Sequence, residues 1–90
     1  MTDPITLTNG AKVLRAAIRM DVGAGYFVPH GIVLCEERDE YVVWHVYFRP
    51  ENDGLWDAES GDYFQFGQDE GQAFESAVSM YKIRRERYAL

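Results

Sequence analysis

Few residues in this chain have types that could do chemistry. They are His30 and His45, the single cysteine Cys35, the serines Ser60, Ser76 and Ser79, and carboxylates crowded between Glu36 and Glu75. A zinc site needs histidines and thiolates at ligand spacing, and no such spacing occurs. A nucleophilic serine needs a base beside it and a sharp strand-to-helix turn beneath it; none of the three has either. General acid–base work needs a desolvated carboxylate, whereas those of the Glu51–Asp62 stretch stand among polar neighbours. Gly23-Ala24-Gly25 lacks the lysine and hydroxyl of a phosphate loop and reads as a helix stop. His30, in Pro29-His30-Gly31, reads as a loop residue, and Cys35, closing the apolar run Gly31–Cys35, as a buried thiol. The expectation is a protein that is not an enzyme and carries no cofactor and no metal.

Composition bounds the class. The chain has 90 residues and is 47% hydrophobic and 14% aromatic, too apolar for a disordered segment and the right size for one domain, 1–90. One cysteine excludes an internal disulfide framework. No apolar run approaches a membrane span, and MTDPITLTNG lacks the basic flank and apolar stretch of a signal peptide. A cytoplasmic setting is expected, with no membrane partner.

Hydrophobic spacing supplies the elements that must position any site. Leu7, Ala11, Leu14 and Ile18 fall at helical intervals, with Lys12, Arg15 and Arg19 as a separate basic stripe. This predicts a first helix, starting either at Asp3-Pro4 or near Thr8–Asn9 and stopping at Gly23-Ala24-Gly25. Tyr26 to His30 should be extended ahead of Pro29. Strands are predicted at Ile32–Glu36, Glu40–Phe48 and Tyr63–Phe66. A polar hairpin, Glu37-Arg38-Asp39, joins the first two, and an acidic connection from Pro50 to Asp62 turns at Asn52-Asp53-Gly54. A last helix should run from Glu70 to Tyr88, capped by Asp69 with Gln72 three residues on and closed by cations in its final turns. The predicted fold is α+β, an α-β-β-β-α two-layer sandwich with a three-stranded antiparallel sheet and both helices on one face.

The segment Glu40–Arg49, EYVVWHVYFR, is the most informative. Side chains alternate across a strand, so Val42, Trp44, Val46 and Phe48 share one face while Tyr41, Val43, His45, Tyr47 and Arg49 share the other. With one core to build, the Trp44 face is expected inside. The outer face would then show Tyr41, Val43, His45, Tyr47, Tyr63 and Gln65, with Trp56 nearby. Tyrosine and tryptophan anchor interfaces at low entropic cost, so these residues form the expected protein-interaction surface, for a foreign protein or for a homodimer.

Charge supplies two competing readings. Residues 36–75 hold twelve acidic side chains against Arg38 and Arg49, within a chain of net charge −6. The element order matches that of the double-stranded RNA-binding domain, which grips phosphate with lysines at the start of its last helix. Here Gln68-Asp69-Glu70 stands at that place, and the net charge also argues against nucleic acid. A nucleic-acid-associated regulator using the basic groups at Lys12–Arg19 and Lys82–Arg87 is one alternative, and an acidic DNA mimic is the other.

The aromatic strand Tyr41–Arg49, Gly61-Asp62-Tyr63-Phe64 and the acid-capped helix start Asp69-Glu70-Gly71-Gln72-Ala73-Phe74 are similar in style to small accessory proteins of actinobacterial, mycobacteriophage-type phages. That resemblance spans about the last 60 residues. It implies an early-expressed accessory protein that binds and redirects a host protein.

Overall fold

The computed structural model describes residues 5–21 and 27–90. It is an α+β fold in which four antiparallel strands lie in sequence order, β1 (Lys12–Arg19), β2 (His30–Glu37), β3 (Glu40–Phe48) and β4 (Trp56–Gln65). One helix, α1 (Glu70–Arg87), packs chiefly on β2, β3 and β4. The coarse class is as predicted, but among the described residues four strands and one α-helix stand where three strands and two helices were expected.

The predicted first helix is β1. The apolar stripe Leu7, Ala11, Leu14 and Ile18 does not belong to one element: β1 holds only Leu14 and Ile18, and it carries a bulge. Val13 pairs with Cys35 and Arg15 with Leu34, leaving Leu14 as an extra residue. A bulge breaks the period of two, so Val13, Ala16 and Ile18 share one face, and Leu14 has no place in the register. Leu7 and Ala11 belong to the segment before β1. Thr8 N–H donates to the Trp56 carbonyl and Trp56 N–H to the Thr6 carbonyl, both at 2.9 Å. Leu7 thus makes a parallel bridge to β4, and the chain then crosses to the opposite edge, where β1 lies. The proposed Asp3-Pro4 start, the Gly23-Ala24-Gly25 stop and Tyr26 lie outside the described residues.

The acidic connection is shorter than predicted, because β4 begins at Trp56 rather than Tyr63. A single 3-10 turn over Pro50–Asn52 leads into Asp53 and Gly54, both left-handed (φ 55° and 82°), and Leu55 N–H closes it on the Asn52 carbonyl. Charged side chains are ordinary on an edge strand, so the acids of Asp57–Asp62 did not preclude a strand. Opposite Trp44, β4 inserts a bulge at Ser60-Gly61, with Ser60 at φ 56°. A Cβ on Gly61 would stand 2.6 Å from the Trp44 ring, so only glycine admits the indole there.

The helix behaves as predicted. The Asp69 carboxylate accepts from Gln72 N–H at 2.9 Å, and Arg84, Arg85 and Arg87 occupy the last turn. Its buried residues are Ala73, Ala77, Tyr81 and Arg84.

Both sheet faces are cored. Under α1 lie Ile32, Leu34, Tyr41 and Val43, with Phe64, Phe66, Phe74 and Val78 around them. On the opposite face Val33, Cys35, Val46 and Trp56 pack with Leu7, and Trp44, Phe48 and Ile18 border them. The predicted orientation of the sheet is therefore reversed: the helix covers the tyrosine-bearing face. The reason is that the face opposite the helix also has a cover, made of Leu7 and the large rings of Trp44 and Trp56. The unbroken run Ile32–Cys35 in β2 is what burial on both faces requires.

Candidate functional site

The residues expected on an open surface separate into two groups. Tyr41, Val43 and His45 are under the helix, at most 7% exposed, and Tyr47 is half-buried on the same face. Trp56 is buried on the opposite face. None of these five offers the open surface expected of it: α1 packs on Tyr41 and Val43, Tyr88 lies against His45, Tyr47 packs on the two histidine rings, and the Leu7 segment covers Trp56. Tyr63 and Gln65 are exposed, yet they do not share a face with Tyr41 and His45. Tyr63 pairs with Val42 and Gln65 with Glu40, and the Ser60-Gly61 bulge sets this phase.

Where the helix ends, the buried polar residues converge. His30 and His45, 2% and 3% exposed, are hydrogen bonded to each other, Nδ1 to Nε2, at 3.0 Å. The Tyr47 hydroxyl meets His45 Nδ1 at 3.2 Å, and the Tyr88 ring lies 4.4 Å from that of His45. Two neutral tautomers fit this row. Either His30 donates to His45 and His45 to Tyr47, or Tyr47 donates to His45 and His45 to His30. Burial drives the pKa of His45 down to about 4, with His30 and the Arg84 guanidinium adding to the shift and Glu59 opposing it. Burial also lowers His30, reinforced by Arg19 and opposed by Asp21. Both rings are therefore neutral near pH 7. Such a row can pass a proton along its length, but its rings are closed off from solvent. Sequence placed His30 in a loop and His45 on a surface. Their meeting depends on strand register, which sets His30 opposite Tyr47.

Arg84 is the buried cation that sequence reasoning missed, having been grouped with the solvated basic residues. Its Nη1 donates to the Val43 carbonyl at 3.0 Å, to the Ser60 carbonyl, and to Asp62 Oδ2 at 3.2 Å. It fastens the helix to the β4 bulge. At the other end of α1, the Tyr41 hydroxyl donates to Glu70 at 2.9 Å. Burial raises the Tyr41 pKa, and Glu70 and Glu36 raise it further. Cys35 is fully buried, and burial with Glu37 nearby pushes its thiol up to about 12, so it is no nucleophile at neutral pH.

The surface that could meet a partner lies on the far side of the sheet. Trp44 is half-buried, its Nε1–H donating to Glu37 at 2.9 Å. Tyr63 meets it edge to face at 5.5 Å between centroids and remains 56% exposed. Glu37 and Glu40, paired across the β2–β3 hairpin, border these rings together with Gln65. The arrangement is an aromatic pair with a polar, acidic margin.

Among the described residues no cluster of three or more histidine, cysteine or carboxylate groups could hold a metal ion, and no helix is long and apolar enough to cross a membrane. No family model matches the chain, and comparisons with curated proteins and with solved structures give no match either.

Proposed function

We propose that this chain is a non-enzymatic protein-binding module whose docking surface is the Trp44–Tyr63 half of the sheet face opposite the helix. The observation that carries this reading is the exposure of Tyr63 beside an indole that Glu37 and Gly61 hold in place. A pre-positioned aromatic pair loses little entropy on binding, which favours its use as an anchor. Glu37, Asp39 and Glu40 at the margin would steer a partner with a basic surface toward it. The likeness to phage accessory proteins points to a host protein as that partner. The inert thiol suits a reducing cytoplasm.

The test compares two tyrosines that sequence alone treats alike. Tyr63→Ser is expected to abolish capture of a partner from host lysate while leaving the circular dichroism spectrum and thermal transition in place. Tyr47→Ser is expected to alter stability and leave capture intact wherever the protein remains folded. Capture that survives Tyr63→Ser refutes this surface, and so does capture lost only with Tyr47→Ser.

A further inference from the structure

The opposite edge of the molecule carries the opposite charge. α1 is centred over β2, β3 and β4, so β1 projects beyond it as a ledge. None of the residues of β1 is fully buried, whereas all of His30–Cys35 are. On the helix side of that ledge, register places Lys12, Arg15, Ala17 and Arg19 opposite Glu36, Leu34, Ile32 and His30. The flank of α1 rises beside it as a wall. The Arg15 guanidinium lies 5.6 Å from the centre of the Phe74 ring, and the Arg85 guanidinium 5.6 Å from that of Tyr81. Burial raises the Tyr81 pKa while Arg85 and Arg15 both oppose the rise. Glu75 and Glu86 lie farther round the helix, on its outer flank.

Apart from Arg19, which pairs with Asp21 at 3.3 Å, these cations lack the partners that an acidic protein could readily supply. Among the described residues, the ion pairs engage Arg19, Arg49 and Arg84, but none of Lys12, Arg15, Lys82, Arg85 or Arg87. Arg85 Nε is shut off from solvent with no acceptor. A guanidinium in that state gains by turning outward to a carboxylate. Beside these groups runs the outer edge of β1, with which none of the described strands pairs.

From this juxtaposition we infer that the β1–α1 seam binds an acidic, extended peptide, which adds as a strand to the Arg15–Arg19 edge and sets its carboxylates against Arg15 and Arg85. Backbone pairing at a sheet edge supplies affinity, and the alternating side chains supply selectivity. A second copy of this chain fits less well. Two β1 strands together bring Lys12, Arg15 and Arg19 of both onto one seam with no carboxylate on either. The acidic strand β4 meets the Thr6–Thr8 segment at Trp56, and pairing of its remaining edge with β1 of a second copy is an outcome that sedimentation detects. Nucleic acid also fits less well, since the Phe74 and Tyr81 faces are covered by arginines and so closed to base stacking.

The test is fluorescence anisotropy at low salt with a short labelled peptide of alternating glutamate and valine. A lysine–valine peptide and a duplex DNA of mixed sequence serve as comparisons. The expected result is binding of the acidic peptide alone, weakened about tenfold or more by Arg15→Glu with Arg19→Glu and unchanged by Tyr63→Ser. Backbone amide shifts should be confined to Arg15–Arg19 and the facing flank of α1. No binding of the acidic peptide overturns the inference. So does equal binding by the double variant, provided its amide spectrum shows that it is folded. Tighter binding of DNA reassigns the seam to nucleic acid, and sedimentation showing concentration-dependent self-association reassigns it to a second copy. Because Tyr63 is on the other face, failure here leaves the proposed aromatic docking surface standing, and the converse also holds.

Discussion

The two faces of this sheet are both cored by apolar side chains and closed in different ways. Beneath α1 the cover is a continuous element, and buried polar groups fasten it: Tyr41 to Glu70 at one end, Arg84 to Val43, Ser60 and Asp62 at the other, with the histidine row near its last turn. On the opposite face the cover is piecemeal. Leu7 closes the end near Trp56, and Trp44 lies over the glycine bulge nearer the β2–β3 hairpin. A helix seals a face fully because its side chains interdigitate along its whole length. A strap and two large rings seal what lies directly beneath them and leave a margin, which is where Tyr63 stays exposed. The lesson is that a partly covered face can serve as core and docking surface together.

The largest expected effect tests whether both faces are core. Ile32 and Val33 are adjacent, fully buried and aimed at opposite faces. Ile32→Ala should cost about 3–4 kcal/mol and Val33→Ala about 2–3 kcal/mol, measured from urea midpoints at constant m-value. A cost for Val33→Ala below about 1 kcal/mol would break the claim of a second core.

Acidification should weaken the helix face specifically. His45 has an ordinary pKa of 6.5 that the fold pulls down to about 4, and His30 moves the same way. Between those values the unfolded chain binds more protons, so stability rises with pH. The contribution is complete above about 6.5, is lost as pH falls, and has no more to lose from His45 below about 4. The loss is on the order of 3 kcal/mol. His45→Gln should flatten this part of the stability–pH curve. An unchanged slope would place its origin elsewhere.

Arg84→Met comes next. Removing the guanidinium leaves the Val43 and Ser60 carbonyls without their donor, at a cost of about 2–3 kcal/mol. Amide exchange should rise in the last turns of α1 and at the Ser60 bulge, with little change around Leu7. Protection lost equally on both faces would mean that the two covers are not separately fastened. The smallest effect belongs to Tyr63→Ser, which should shift stability by no more than about 0.5 kcal/mol, as for other exposed positions. A larger loss would make Tyr63 part of the cover rather than of the surface.

Particular residues show how far the sequence could be read. The alternation in Glu40–Phe48, the Glu37-Arg38-Asp39 hairpin, the Asn52-Asp53-Gly54 turn and the Asp69–Gln72 cap all depend on neighbours within a few positions, and all stand as read. The reading failed at β1 and at the start of β4. In each, a bulge inserts one residue and resets which side chains share a face. Leu14 drops out of the β1 register, and Ser60-Gly61 moves Tyr63 away from Tyr41 and His45. The run Ile32–Cys35 did signal burial on both faces, but the premise of a single core hid it. For the candidate site, Tyr63 and Gln65 were legible as exposed residues, while the histidine pair and the Arg84 fastening were not.

By itself the amino-acid order determined the local pieces: two central strands, a capped terminal helix, acidic turns and a thiol held in an apolar run. Only the assembled fold decided which face the helix would cover, and with it which aromatic residues remain open to a partner. Local periodicity fixes how side chains alternate along one strand. The choice of face depends on competition between distant covers, α1 on one side and the Leu7 segment with Trp44 on the other. That competition is settled by total apolar area sealed and polar groups satisfied, quantities that exist only once the strands are in register.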